Sequence, residues 1–310
     1  MDLPRLISTN DVPQKFLEAT SLIGCIPFKA LGTEQRISYT LYIPPDHYNP
    51  DPSLQYSNDL RALSPAYQLP LLPLVVSIHS TNREAESCRN RLISFANSSR
   101  VAILAPLFPA GIHSFNDLEN YKLLRYKSLH ADTALFDILD EVKIRFPGIT
   151  TEKVFMTGFS GGGQCVHRFL YLYPEKLHAV SVAAPGRVTM LDEELKWPKG
   201  IKDIAELFDG AAIDKVMIRE VKIQLVVGGA DTEVHGGTEF WKWLADKEQE
   251  LLNGKGPSES RPKLAKNPVI SEGRVSTLEN FGRNGRLTAF SLNLMSLTGR
   301  SMKVINSSRP

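Results

Sequence analysis

The stretch that most constrains the fold runs from residue 153 to residue 173. A short apolar run, Val154 to Met156, leads into Gly158-Phe-Ser160-Gly-Gly162, and apolar residues at helical spacing follow. This order predicts a strand, a tight turn and a helix with an exposed serine at the turn, the arrangement called a nucleophile elbow. Because neighbouring side chains would collide in so tight a turn, we expect Gly158 and Gly162 to be needed for their missing Cβ atoms.

A glycine-rich turn between a strand and a helix can also cradle a phosphate. The phosphate-binding loop requires a lysine and then a serine or threonine after its last glycine, and no such pattern is present. The glycines here are contiguous, whereas a dinucleotide-binding turn spaces them apart. The position of Ser160 between an apolar strand and an amphipathic helix therefore favours a nucleophile.

Apolar runs and helix-compatible segments alternate through the first 230 residues. Strands are expected at residues 22–28, 37–43, 71–78, 101–105, 154–156, 178–183 and 221–227, and helices at 84–96 and 129–146. The first two runs are rich in β-branched and aromatic residues and predict an antiparallel entry to the sheet, whereas the nearly continuous apolar run 71–78 predicts a buried parallel strand. The alternation predicts an α/β protein with a mostly parallel, doubly wound sheet.

The domain organisation follows from where this alternation stops. We expect residues 1–284 to form one domain, in which residues 187–219 are a small helical excursion that caps the site. Residues 253–268 are poor in apolar side chains, and this composition predicts an exposed or disordered loop. Residues 285–310 form an atypical basic tail. From residue 254 onward ten Lys/Arg stand against three Asp/Glu, net +7, which leaves −5 for the preceding residues.

Overall composition excludes several classes of protein. A formal charge of +2 gives no support for a nucleic-acid partner. No run approaches the length of a membrane span, and the N-terminal residues lack the basic and apolar regions of a signal peptide. Cys25, Cys88 and Cys165 are widely spaced and form no metal-ligand grouping. These features predict a cytoplasmic protein without a metal site or membrane association.

A serine hydroxyl needs a base to take its proton and an acid to orient that base. Asp231 follows the strand predicted at 221–227 after three small residues and is the expected acid, although a turn or helix N-cap aspartate is the alternative. An oxyanion hole needs backbone N–H groups, which we expect from Gly161 and from Ser80 or Thr81.

Histidines are the usual bases, but most of those in this sequence suit other roles. His79 precedes the elbow by a whole β-α-β unit, and we expect it to brace the turn at residues 80–81. His113, His130, His167 and His178 are expected to be surface or structural residues.

Together these stretches resemble the α/β-hydrolases, and in particular esterase and polyhydroxyalkanoate-depolymerase-like serine hydrolases. The matching stretches are residues 75–83, 104–111, 158–168 and 225–231, and the resemblance covers roughly residues 37–284. It implies Ser160 as nucleophile, Asp231 as acid, and Ser80 or Thr81 with Gly161 as oxyanion donors. Ser80 stands where the family usually has glycine. The implied reaction is hydrolysis of a small-molecule carboxylic ester through an acyl-enzyme on Ser160, with no cofactor.

The C-terminal end departs from the family pattern. A family member has a last strand followed by the catalytic histidine; residues 286–295 could supply the strand, but no histidine follows His235. Three alternatives remain: His235 serves as the base, an altered C-terminus has replaced the expected ending, or the protein is a non-catalytic, hydrolase-fold binding protein. The missing histidine predicts weak or lost activity. Because the resemblance also fades after residue 284 and the tail is basic and poor in turn signals, we expect residues 285–310 to pack poorly or be disordered.

Overall fold

The computed structural model describes residues 5–53, 69–114 and 117–228, together with residues 231, 243, 246, 274, 290–293 and 304–306. Its strands are β1 (Gly24–Ala30), β2 (Ser38–Ile43), β3 (Leu72–Ile78), β4 (Ala102–Leu107), β5 (Arg125–Tyr126), β6 (Leu129–His130), β7 (Ile149–Phe159), β8 (Leu177–Ala183), β9 (Lys222–Val226), β10 (Phe290–Asn293) and β11 (Val304–Asn306). Its helices are α1 (Ala85–Asn90), α2 (Ile93–Ser99), α3 (Ala131–Arg145), α4 (Gly161–Leu172), α5 (Ile204–Leu207) and α6 (Lys215–Glu220).

Nine strands form one sheet in the order β1-β2-β4-β3-β7-β8-β9-β10-β11, and β5 and β6 form a separate hairpin. The strands from β4 to β10 in this order run parallel, while β1, β2 and β11 pair antiparallel at the two sides. The mostly parallel sheet, its antiparallel entry and the buried strand β3 confirm the predicted architecture.

Side chains alternate between the two faces of the sheet and enter two apolar clusters. Leu74, Val76 and Met156 lie on the face that packs against α3 and α4, whereas Val75 and Phe155 lie on the face that α2 covers. Every residue of α4 is buried, as expected for a helix enclosed by the protein on all sides. The elbow is therefore attached to the most enclosed helix of the described part.

Two predicted elements differ from the structure in extent. Strand β7 begins at Ile149 rather than at Val154, because it continues through charged residues beside a register irregularity opposite β3, which the apolar pattern cannot show. The single helix expected over residues 84–96 is wrong: α1 and α2 are separated at Leu92, whose φ and ψ of −100° and 1° leave the helical region. The break places Ala96 on the sheet.

The stretch 187–219 contains α5 and most of α6, and it contacts the loop before β5. Trp197 packs edge-on against Phe208, with 5.1 Å between ring centroids, and its Nε1 donates to the Leu123 carbonyl at 3.0 Å. A function as a cap stays a prediction.

The C-terminal part is described only in pieces. Strand β10 falls within residues 286–295, the stretch offered by the sequence as a last strand, and it pairs parallel to β9. The loop 253–268 and most of the tail 285–310 lie outside the described residues, so poor packing of the tail stays a prediction. No helix in the described ranges has the length and apolar character to cross a lipid bilayer.

Candidate active site

Ser160 occupies the turn between β7 and α4. Its φ and ψ of 54° and −111° are strained for a residue with a side chain. The backbone holds this conformation because the Ser160 N–H donates to the Ala183 carbonyl of β8 at 2.9 Å, and the Ser160 carbonyl accepts from Gln164 N–H at 3.1 Å. The neighbouring strand end and the first turn of α4 thus fix the serine.

Glycines allow the strand ends to approach the elbow closely. A Cβ on Gly158 would lie 2.4 Å from the Gly162 carbonyl carbon, and a Cβ on Gly162 would lie 2.3 Å from the carbonyl oxygen of Ile78. Real Cβ atoms essentially never approach backbone so closely. The predicted need for glycine at both positions is confirmed.

Gly161 lies at the start of α4, beside Thr81 and Lys122. Gly161 is the first residue of α4, so its N–H has no partner within the helix. A Cβ placed on it would lie 3.1 Å from Thr81 Oγ1 and 2.8 Å from Lys122 Cε. The structure therefore brings Gly161 close to the Thr81 side chain. Gly161 with Ser80 or Thr81 as oxyanion donors stays a prediction.

His79 holds this turn from inside the protein. Its Nδ1–H donates to the Ser80 carbonyl at 2.7 Å, and its Nε2 accepts from the Phe108 N–H at 3.0 Å. The Tyr121 hydroxyl donates to the His79 carbonyl at 3.0 Å. Both ring nitrogens are engaged by backbone groups, so His79 braces the turn and has no nitrogen free to take a proton from Ser160.

Arg83 ties the same turn to the following loop, a role that sequence reasoning missed. Its guanidinium donates to the carbonyls of Thr81 at 2.7 Å and Phe108 at 3.1 Å, and to Asn120 Oδ1 at 3.2 Å. The only signal in the sequence is an arginine shortly after the turn, which is too common to identify such a residue.

Asp231 and Ser160 face one guanidinium. Arg274 Nη1 lies 3.4 Å from Asp231 Oδ2, and Arg274 Nη2 lies 3.4 Å from Ser160 Oγ. The side chains of Arg274 and Asp231 are each 16% exposed. The expected nucleophile and acid thus share a crevice, with an arginine between them where a base is needed. No motif surrounds Arg274 in the sequence, and no local pattern could have identified it.

The described histidines do not supply that base. The buried ring of His167 donates from Nδ1 to the Gly163 carbonyl at 2.9 Å and accepts at Nε2 from the Thr189 N–H at 3.0 Å. None of the six histidines in the described ranges forms a hydrogen bond with Ser160, and His235 lies outside those ranges.

Buried cations lie beside the elbow. The Lys122 ammonium is 2.6 Å from Glu119 Oε1, and burial lowers the pKa of Lys122. Burial opposes ionisation of Glu119, but Lys122, Arg187 and Arg168 outweigh it and hold the pKa of that carboxyl below its usual value. Sequence reasoning missed Lys122, because a lysine in a polar loop normally lies in solvent.

Arg168 lies beneath this region as a fully buried residue of α4. Its Nη1 donates to the Lys122 carbonyl at 2.6 Å, and its Nε donates to Thr189 Oγ1 at 2.9 Å. Burial lowers the pKa of Arg168 to about 10, so the guanidinium remains charged at neutral pH. It connects the elbow helix to the loops that contain Lys122 and Thr189.

The two buried histidines predict a pH-dependent stability. Burial lowers the pKa of His79 to about 4 and lowers the pKa of His167 well below 6.5. The unfolded chain binds these protons first as pH falls, so the stabilisation is complete above the unfolded pKa of about 6.5 and is lost below it. Between about pH 7 and pH 5, His79 alone is expected to lower the free energy of unfolding by about 2 kcal/mol.

Urea unfolding at several pH values in this window tests the prediction. The lowered pKa values of Glu119 and Glu141 act in the same direction, but only as pH falls through the lower range where carboxyls titrate. Measurements above about pH 5 therefore report mainly on the histidines. A free energy of unfolding that stays constant across this window would contradict the burial of neutral imidazoles.

The described ranges contain no group of three or more His, Cys, Asp or Glu side chains placed to hold a metal ion.

No family model and no curated protein matches the chain. Among solved structures it is similar to poly(aspartic acid) hydrolase-1 from Sphingomonas sp. KT-1, with 20% identity, a TM-score of 0.53, and coverage of 83% of this chain and 86% of that chain. It is also similar to the poly(3-hydroxybutyrate) depolymerase LpqC from Bordetella parapertussis, with 19% identity, a TM-score of 0.56, and coverage of 92% and 88%.

Similarity to solved structures at 19–20% sequence identity shows that this chain shares their fold. The chain has the α/β-hydrolase fold, and the resemblance seen in its sequence is confirmed at that level.

Proposed function

We propose that the protein is a serine hydrolase that cleaves small-molecule carboxylic esters through an acyl-enzyme on Ser160. The observation that carries this proposal is the strained turn at Ser160, with Gly161 and the turn at residues 80–81 on one side. Asp231 in the same crevice adds support. Backbone strain of this kind clusters at functional positions, where the surrounding structure holds a conformation that is unfavourable by itself.

In the proposed reaction the Ser160 hydroxyl oxygen attacks the ester carbonyl carbon and its proton passes to a base. The charge that develops on the carbonyl oxygen is stabilised by the N–H groups of Gly161 and of Ser80 or Thr81. The alcohol then leaves with a proton, and water releases the acid from Ser160. Asp231 orients the base.

The described residues near Ser160 do not include a general base. The Arg274 guanidinium carries only hydrogen-bond donors, so it cannot accept the proton of Ser160. His235, four residues past Asp231, is the remaining candidate. With no histidine following the last strand, we expect turnover to be weak.

A second candidate function is binding without turnover. It is favoured by the Arg274 guanidinium, which lies between Ser160 and Asp231 where a hydrolase needs an imidazole. In that case the protein is a pseudoenzyme that retains the hydrolase fold and crevice.

Fluorophosphonate labelling distinguishes the two functions. If Ser160 is activated, the probe should modify the protein once, and Ser160→Ala should abolish labelling while changing the free energy of unfolding by less than about 1 kcal/mol. Ser98→Ala, which alters an exposed serine on α2, should label normally. Persistent labelling of Ser160→Ala would exclude Ser160 as nucleophile, and an unlabelled wild type would favour the binding protein.

We also propose a cytoplasmic location. Cys25, Cys88 and Cys165 are all free thiols in the structure, which suits a reducing compartment.

A further inference from the structure

We propose that Arg274 makes the elbow a carboxylate-binding site, which holds the acid released from the ester between the guanidinium and the first turn of α4. The identity of the ligand rests on the proposed function, since ester hydrolysis yields a carboxylate at Ser160. Binding of a carboxylate to Arg274 itself does not require turnover.

Among the described residues, not all N–H donors of the Arg274 guanidinium have a hydrogen-bond acceptor. Nη1 is directed to Asp231 and Nη2 to Ser160, each at 3.4 Å, which is long for a charge-assisted hydrogen bond. Arg274 Nε is buried and has no hydrogen-bond partner within the described part of the chain. A buried N–H without an acceptor is unfavourable, so an acceptor placed against Arg274 Nε would be favoured.

The unused donors have the geometry that a carboxylate matches. In a planar guanidinium, the Nε–H and one Nη2–H point in the same direction and form a fork for two carboxylate oxygens. Arg274 can therefore bind a carboxylate through Nε and Nη2 while Nη1 remains on Asp231. Its Cζ lies 5.7 Å from the centroid of the Phe159 ring, which supports the guanidinium from one side.

The surroundings supply a second source of positive potential. Gly161 begins a twelve-residue helix, whose N-terminus favours an anion. A carboxylate beside Ser160 Oγ lies between that N-terminus and Arg274, and the paired Lys122 is close to Gly161. Asp231 opposes the anion, but its carboxylate faces Nη1 rather than the fork.

The same contact explains why a released acid would stay. When the acyl-enzyme is hydrolysed, the Ser160 oxygen recovers its proton and the released acid ionises. The resulting carboxylate lies beside the Arg274 guanidinium, whose Nε had no hydrogen-bond acceptor in the described ranges. The acid then occupies the place of the next ester, and binding of the acid competes with binding of the ester.

Calorimetric titration with sodium butyrate, with neutral butyramide as the matched probe, tests this inference on the full chain. Wild type should bind butyrate saturably and butyramide far more weakly. Arg274→Gln should weaken butyrate binding at least about tenfold, and Arg274→Lys should weaken it less, since it keeps the charge but loses the fork. Arg219→Gln, which removes an exposed arginine on α6, should bind like wild type.

Equal butyrate affinity of Arg274→Gln and wild type would overturn the inference, as would equal binding of butyramide or no binding of butyrate to wild type. Unfolding midpoints of the variants show whether each is folded. The two proposals fail separately. Butyrate binding without fluorophosphonate labelling rejects turnover and keeps the carboxylate site, whereas labelling without butyrate binding rejects the carboxylate site alone.

Discussion

Replacing Gly162 with alanine is expected to lower the free energy of unfolding by about 3 kcal/mol or more. The new Cβ would lie 2.3 Å from the Ile78 carbonyl oxygen and 2.9 Å from the His79 carbonyl oxygen. Both contacts are with backbone, which cannot swing aside as a side chain would, so β3 and α4 must separate. The midpoint and slope of urea unfolding measure the loss.

Gly186→Ala is the matched control for this substitution. The closest atom to its Cβ would be Gln164 Nε2 at 3.4 Å, the far end of a flexible side chain. We expect a change of less than about 1 kcal/mol. Similar losses at the two positions would show that the close approach of β3 to the elbow helix is not what requires glycine at Gly162.

Arg168→Ala is expected to cost a similar amount, about 3 kcal/mol, for a different reason. The substitution removes a fully buried side chain and leaves the Lys122 carbonyl without the donor that Arg168 provides. It also removes the donor to Thr189 Oγ1 and the contact of the guanidinium with the Trp197 ring at 5.8 Å. The loops on two sides of the elbow helix would lose their common anchor.

Arg219→Ala supplies the comparison, because it removes an equal charge from an exposed position on α6. Its free energy of unfolding should stay within about 0.5 kcal/mol of wild type. If Arg168→Ala changed the free energy of unfolding as little as Arg219→Ala, the hydrogen bonds of the buried guanidinium would not stabilise the two loops.

The parts of the site that could be predicted depend on neighbouring residues in the sequence. The elbow was predictable because the strand, the glycines and the helix lie within about twenty residues, and sterics alone restrict which residues fit. Asp231 and the turn at residues 80–81 follow apolar strands, and parallel strands bring their carboxyl ends to one edge. That reasoning locates the crevice before any contact is known.

Contacts between distant residues account for what was missed. Arg274 meets Ser160 across 114 positions and has no motif around it. Lys122 is a lysine in a polar loop, which would normally be exposed to solvent. It belongs to the candidate site only because it is buried against Gly161. The extra length of β7 and the break between α1 and α2 are set by register and packing, which an apolar pattern does not encode.

The position of Ser160 is fixed by three strand ends at once. It follows β7 directly, its N–H is held by Ala183 of β8, and Gly162 beside it rests on Ile78 of β3. The loops that border the crevice contribute nothing to these three supports. Over evolutionary time the walls of the site can therefore be exchanged for others, and its preference altered, while the hydroxyl stays where the sheet puts it. A new specificity in a descendant of this protein would need no change at the elbow.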